Sequence, residues 1–342
     1  MSRALIVHRA GPGVTVQDQG RPGYLAFGLS RGGAADQLAL AEGAALLGQD
    51  AGHGAVEMAG MGGEFEASED MRVALTGAPM RASIDGARVI WNASHLLPKG
   101  ARLTIGTADA GIYGYLHLGG GLRAPEQLGA QSAHLAAGIG ATAQPGDHLP
   151  VGQDARAGET SMKLDPDPRF EGGTLRIVPS LQTEFFDPTE IARFEATKFH
   201  RDTRGNRMGV RIIPEGDGFH TETGLTVLSE VIVPGDVQIT GDGKLFVLLS
   251  ECQTTGGYPR IGSVLPADLP CVAQAQPGSV LCFRFVTLEE AVKVERRERE
   301  RRKSLRGKVR PLIRDPHDIH DLLSYQLISG MTAGDDLERA ET

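Results

Sequence analysis

The sequence predicts a mainly β protein: two β-barrel subdomains with few short helices, closed by a helical C-terminal tail. Three observations carry this expectation. The first 286 residues read as short apolar strands bounded by Gly, Pro, Asp or Asn, with few helical periods between them. A Gly-containing turn that feeds directly into a strand recurs twice in each half of that stretch, and the composition changes after Val286. At 342 residues the chain has length for about two domains of ~150 residues each. The expected division is 1–160 and 161–286 for the two subdomains and 287–342 for the tail.

Taken in order, strands are expected at Arg3 to His8, Met71 to Thr76, Arg88 to Trp91, Ile112 to Leu118, Thr174 to Pro179, Lys244 to Glu251 and Ser279 to Val286. The recurring turns are Lys99-Gly100, Pro145-Gly146, Pro234-Gly235 and Pro277-Gly278, each entering a strand within two residues. Pro fixes one turn dihedral and Gly supplies a positive φ, so each can feed a strand into a barrel. Helices are expected from Asp36 to about Leu47, stopped by Gly48, and from Asp187, where Pro188 occupies the first helical position and Glu190 follows three after the cap. A polar stretch over 152–171 reads as the linker between the halves. In the tail, Thr287 to Glu290 forms a capping box, and Glu289–Lys293, Glu295–Arg299 and Glu298–Arg302 are spaced as (i, i+4) ion pairs. A second tail helix is expected from Asp315-Pro316, with Ile319, Leu322, Leu323 and Leu327 on one face, docking on the body or on a second copy of the chain.

Composition removes several function classes. Gly 46 and Pro 19 make the chain turn-rich, and a net charge of −8 gives no footprint for a nucleic-acid backbone or an anionic membrane. No apolar run is long enough for a membrane span or a signal-peptide core, so a cytoplasmic protein is expected. Cys252, Cys271 and Cys282 lack metal-ligand spacing and lie in apolar, strand-like runs, which predicts buried thiols and no metal. Gly28-Leu29-Ser30-Arg31-Gly32 fits GxSxG, but the parallel sheet that such a nucleophile needs is not predicted. Lys163, in Ser161-Met162-Lys163, sits in the linker and not at a hairpin tip suited to biotinylation. His317, His320, Asp318 and Asp321 read as a solvated helix face, and the glycine stretches at 60–63 and 119–121 lack a Walker lysine.

Two segments gather more chemistry than turns require. One is Gly11 to Tyr24, which places Gln17, Asp18, Arg21 and Tyr24 between glycines; the other is Gln253-Thr254-Thr255-Gly256-Gly257-Tyr258-Pro259. Between them stands Arg204-Gly205-Asn206-Arg207-Met208-Gly209. As chemistry, these segments supply amide readers (Gln17, Gln253), an acceptor or base (Asp18), bidentate anion clamps (Arg21, Arg207) and amphipathic walls (Tyr24, Tyr258). The first and last segments are expected to face one cleft between the subdomains.

These motifs, together with ALTGA at 74–78, YLHLGGG at 115–121 and RMG at 207–209, resemble the biotin-dependent carboxyltransferase family of subdomains A and B, also described as allophanate hydrolase subunit 2 and as the C subunit of 5-oxoprolinase. The likeness runs from about Val7 to Glu290. It implies two cyclophilin-like β-barrel subdomains. It also implies membership of an ATP-dependent 5-oxoprolinase complex with partner subunits A and B, ATP being used by the complex. The alternative it implies is transfer of a carboxyl group from biotin on a partner to urea or a related amide, or a regulatory subunit without catalysis. Asp18, Arg21 and Arg207 would then be catalytic, and Gln17, Tyr24, Gln253, Thr254, Thr255 and Tyr258 would bind the small amide or lactam. Gly28-Leu29-Ser30, Ala35 and Gly243-Lys244-Leu245 depart from the family's usual pattern.

Overall fold

The structure, a computed structural model, describes residues 3–221 and 229–313. Its first half consists of two sheets packed face to face. The six-stranded sheet holds Ala4–Ala10, Gly63–Ala67 and Arg102–Ala108 at its centre, and the seven-stranded sheet holds Ala55–Ala59, Met71–Gly77 and Tyr113–Leu118. Leu5, Val7, Phe65, Leu103 and Ile105 from the first sheet meet Val73, Leu75, Leu116 and Leu118 from the second in one core, all fully buried. The second half is a closed seven-stranded barrel whose first and last strands, Gly172–Val178 and Val280–Phe285, lie parallel and shut it. Its interior is aromatic, with the Phe194, Phe199, Phe219 and Phe283 rings 4.9 to 5.7 Å apart.

The turns behave as their chemistry demands. Gly100, Gly146, Gly235 and Gly278 all have positive φ, between 76° and 101°, and strands begin within two residues of each. Strand boundaries shift from expectation where side chains find other partners. The strand expected at Arg88 to Trp91 is Ala87–Val89, and Trp91 leaves it to donate from Nε1 to the Gly77 carbonyl.

Helix α1, Gln37–Leu47, is capped by Asp36 and closed by Gly48 in the left-handed conformation. It is buried at nine of its eleven residues, so it is an internal rod rather than a surface helix. Gly43 is required on it because a Cβ there would stand 2.3 Å from the His117 ring. Helix α2, Pro188–Ala196, starts on the Asp187 cap as its sequence predicts. Helix α3, Leu269–Gln274, corrects the strand-like reading of Cys271: Pro270 opens a six-residue helix and the thiol points to the Gly172 carbonyl.

Helix α4, Leu288–Ser304, carries the expected capping box. Glu289–Lys293 and Glu298–Arg302 pair as spaced, but Glu295 turns away from Arg299 to accept from the Ala267 backbone N–H. The chain then returns to the first half. Leu305 packs on Leu38 and Leu46, and Arg310–Pro311 pairs with Met162–Lys163, which in turn pairs with Ala93 of the seven-stranded sheet. Strands of the first half thus continue past the boundary expected at 160. The second tail helix, its apolar stripe and the His317/His320 cluster lie outside the described residues. No described helix is long and apolar enough to cross a membrane.

His117 gives this core a pH dependence. The Thr76 hydroxyl donates to the Ala39 carbonyl and accepts from His117 Nε2, which fixes the ring as a neutral donor. Full burial pushes the imidazole down to about 3. The unfolded chain therefore binds a proton near pH 6.5 that the folded chain refuses until about pH 3, and stability falls on acidification across that window by up to ~1.4 kcal/mol per pH unit. Denaturant unfolding at a series of pH values should show this limb, and His117→Gln should make it shallower by about one proton; an unchanged slope would assign the acid limb to other groups.

Candidate functional site

The seam between the halves is both apolar and charged. Ala34, Ala39, Leu40, Tyr113 and Tyr115 of the first half share one core with the barrel interior. Through it runs a chain of buried polar groups. Asp36 Oδ1 accepts from the Leu38 and Ala39 N–H groups, while Oδ2 accepts from Arg169 Nε at 2.7 Å and Gln274 Nε2 at 2.8 Å. Arg169 grips Glu42 with both terminal nitrogens, and its guanidinium stays well above the ordinary range because Asp36 and Glu42 outweigh the cost of burial. Tyr115 donates to Glu57 Oε2 and accepts from the Asp36 N–H. Glu57 Oε1 then pairs with Arg207, whose other nitrogens reach Glu251 Oε1 at 2.6 Å and the Gly33 carbonyl at 2.5 Å. Burial lowers the Arg207 guanidinium, but the Glu57 and Glu251 charges raise it further than burial lowers it.

The opening segment is turned into this body. Gln17 is fully buried and donates to Thr15 Oγ1 and the Ala133 carbonyl. Asp18 accepts from the Gly20 and Gln131 N–H groups, an Asx-type turn pinned to a distant loop. Arg21, at 1 % exposure, donates to the carbonyls of Gln127 and Ser132, and burial lowers its guanidinium. Tyr24 remains half-buried beside Phe27. Ser30 Oγ lies 2.8 Å from His134 Nε2, and His134 Nδ1 faces Glu251 at 3.9 Å; Ser30 and His134 are both buried at 3 % exposure, and burial lowers the imidazole. The charges of Arg21 and Arg207 both reach that imidazole, so these two arginines do converge. The two expected loops touch where a Cβ on Gly28 would lie 4.0 Å from Thr254 Oγ1.

The open cavity is at the barrel. It has a volume of about 520 Å³ and is lined by Arg204, Asn206, Gln238, Cys252, Gln253 and Tyr258 over an apolar floor of Ile232, Phe246 and Leu248. Gln253, Thr255 and Tyr258 are exposed and Thr254 is half-buried. The seam holds two of its rims. Arg207 sits at the tip of the hairpin Phe199–Asn206/Gly209–Pro214, and the Glu251 N–H donates to the Arg207 carbonyl. One residue of each rim is sunk in the seam, and its neighbours, Asn206 and Met208 on one side and Cys252 and Gln253 on the other, reach the cavity. The Arg204 guanidinium has no carboxylate within salt-bridge distance among the described residues. Gln17, Asp18, Arg21 and Tyr24 do not line this cavity. A smaller cleft of about 330 Å³ does open between the halves, lined by Gln19, Arg31, Ser250 and Pro266.

Sequence reading missed Gln238, which lies in an apolar strand, and Glu57, Glu251, Arg169 and Gln274, whose partners are tens to hundreds of residues away. Among the described residues no group of His, Cys, Asp and Glu is arranged to hold a metal ion. Burial pushes the Cys252 thiol at the cavity up to about 12 and Cys271 up to about 11, so both stay protonated.

Residues 27–285 match the family model for the carboxyltransferase domain, subdomain A and B. The chain is similar to the 5-oxoprolinase C subunit of Escherichia coli, at 34 % identity over 84 % of this chain and 93 % of that one. It is more distantly similar to urea amidolyase of Saccharomyces cerevisiae, at 25 % identity over 89 % of this chain but 18 % of that one. The crystal structure of TTHA0988 superposes with a TM-score of 0.74 and 30 % identity, covering 83 % of this chain; the chain spans 56 % of that protein.

The seam makes a direct prediction. Arg207→Lys keeps the charge but cannot span Glu57, Glu251 and the Gly33 carbonyl, leaving one buried carboxylate unpaired. Denaturant unfolding should show a loss of about 3 kcal/mol. A loss below ~0.5 kcal/mol would mean that the fork is dispensable to the seam.

Proposed function

The chain belongs to the carboxyltransferase domain family, subdomains A and B, and we propose on that premise that it is the C subunit of an ATP-dependent 5-oxoprolinase of the cytoplasm. Partner subunits A and B complete the enzyme. In the reaction, water adds across the lactam C–N bond of 5-oxoproline to give glutamate, and a second water cleaves ATP to ADP and phosphate. The observation that carries this reading is the near-complete span of the E. coli 5-oxoprolinase chain, against the small fraction of the urea amidolyase that the chain matches.

The barrel cavity supports it chemically. A lactam acid presents a carboxylate, a carbonyl and an N–H. The cavity offers Arg204 at its rim for the carboxylate, the carboxamides of Asn206 and Gln253 as donors and acceptors for the ring amide, and Tyr258 as a wall. Its volume is within the ~300–1,000 Å³ usual for small-molecule sites. In this reading Asp18, Arg21 and Arg207 are positioning residues: their partners are backbone groups and carboxylates of the chain itself. The nucleotide belongs to a partner subunit.

The purified chain alone should release no glutamate from 5-oxoproline and ATP, and adding subunits A and B should restore turnover. Arg204→Gln in that complex should raise KM for 5-oxoproline at least tenfold, about the worth of one charge-assisted hydrogen bond. Equal turnover by A and B without the chain would overturn the assignment. Carboxylation of urea by the chain with a biotinylated carrier would transfer it to the carboxyltransferase reading.

A further inference from the structure

Gln238 is the one wall of the barrel cavity that the rest of the protein leaves incomplete. It sits on the strand Asp236–Ile239, beside a register shift between Val237 and Gln238, and is only 7 % exposed. Its Nε2 is screened from solvent and has no hydrogen-bond partner, and its Oε1 makes no hydrogen bond either among the described residues. A buried carboxamide left open at both ends costs stability, and native proteins rarely keep one without a use. The surroundings are shaped to keep it. Gly256 lies directly over it: a Cβ on Gly256 would stand 2.8 Å from Gln238 Nε2 and 3.0 Å from Ile232 Cδ1. The glycine in the Thr254-Thr255-Gly256-Gly257 run is therefore needed for the room that the Gln238 amide occupies.

We propose that Gln238 is the specificity-determining residue of the cavity and that it reads the edge of a cis amide. A primary carboxamide carries its N–H and its C=O on one edge, so it pairs at two points with any ligand that does the same. Lactams and urea-like amides do so. An open-chain trans secondary amide places the two groups on opposite edges, and an ester or lactone has only the acceptor. A site that hydrogen-bonds both groups rejects an analogue lacking one, because its own buried group is then left unpaired. This rests on the reading of the barrel cavity as the lactam site, and it adds the residue that makes the ring N–H a requirement.

The test compares 5-oxoproline with its γ-lactone counterpart, in which oxygen replaces the ring N–H, by calorimetric titration of the full chain and of Gln238→Met. The wild-type chain should bind the lactam at least about tenfold more tightly than the lactone, and Gln238→Met should erase that preference. The melting temperature of the free variant should stay level or rise, since methionine fills the same space without an unpaired amide. An unchanged preference in Gln238→Met, no preference in the wild type, or a lowered melting temperature with the preference retained would each overturn the inference. The two readings fail separately. If a wild-type complex forms glutamate and Gln238→Met forms it with the same KM, the role of Gln238 is lost and the 5-oxoprolinase assignment stands. If no complex containing the chain opens the lactam while the binding preference depends on Gln238, the assignment is lost and the amide reader stands.

Discussion

The Asp36 carboxylate is the constraint around which the two halves are assembled. Entirely removed from water, it is stable only with donors at both oxygens. One oxygen takes the first N–H groups of α1, and the other takes a guanidinium from the linker and a carboxamide from α3 in the second half. Gln274 is itself locked, with Oε1 accepting from Ile112 and Tyr113 N–H and Nε2 also donating to the Tyr113 carbonyl. Helix start, linker path and docking of the barrel are thus three consequences of one desolvated charge. Separating the halves would expose apolar surface and also leave this carboxylate short of donors, so the seam opposes partial opening more strongly than an apolar contact of equal area.

The cavity inherits its geometry from the same seam. Arg207 and Glu251 are withdrawn into it, and each is flanked by residues that reach the barrel cavity. The guanidinium most deeply embedded in the conspicuous motif holds a rim in place, while its neighbours Arg204 and Asn206 face the open space. Rigid support from residues that never touch a ligand is what a small polar site needs, since misplacement by about 1 Å can cost two orders of magnitude in rate.

Much of the fold was legible because its signals are local. The caps at Asp36, Asp187 and Thr287 and the glycines after Pro145, Pro234 and Pro277 announce themselves within four residues. Helix α3 was hidden by its brevity and by apolar neighbours that suit a strand equally well. The site was legible only in part. Gln253 and Tyr258 were found because they stand in a polar, glycine-rich loop. Gln17, Asp18 and Arg21 drew attention for the same reason, yet their polarity meets backbone groups as far as 116 residues away. Gln238 gave no signal, because a lone amide in Val237-Gln238-Ile239 looks like an ordinary strand residue until its lack of partners is seen.

The return of the chain after α4 bears on how the protein is made. Met162–Lys163 is paired on one side with Ala93 and on the other with Arg310–Pro311, so two stretches almost 150 residues apart meet as neighbouring strands. During synthesis the ribosome must add the whole barrel and α4 before that last strand exists. Until then the seven-stranded sheet has an unprotected border of backbone donors and acceptors, the kind of edge that recruits strands from other nascent chains. The final short strand therefore works as a late closure, and the nascent chain is most exposed to misassembly in the interval before it arrives.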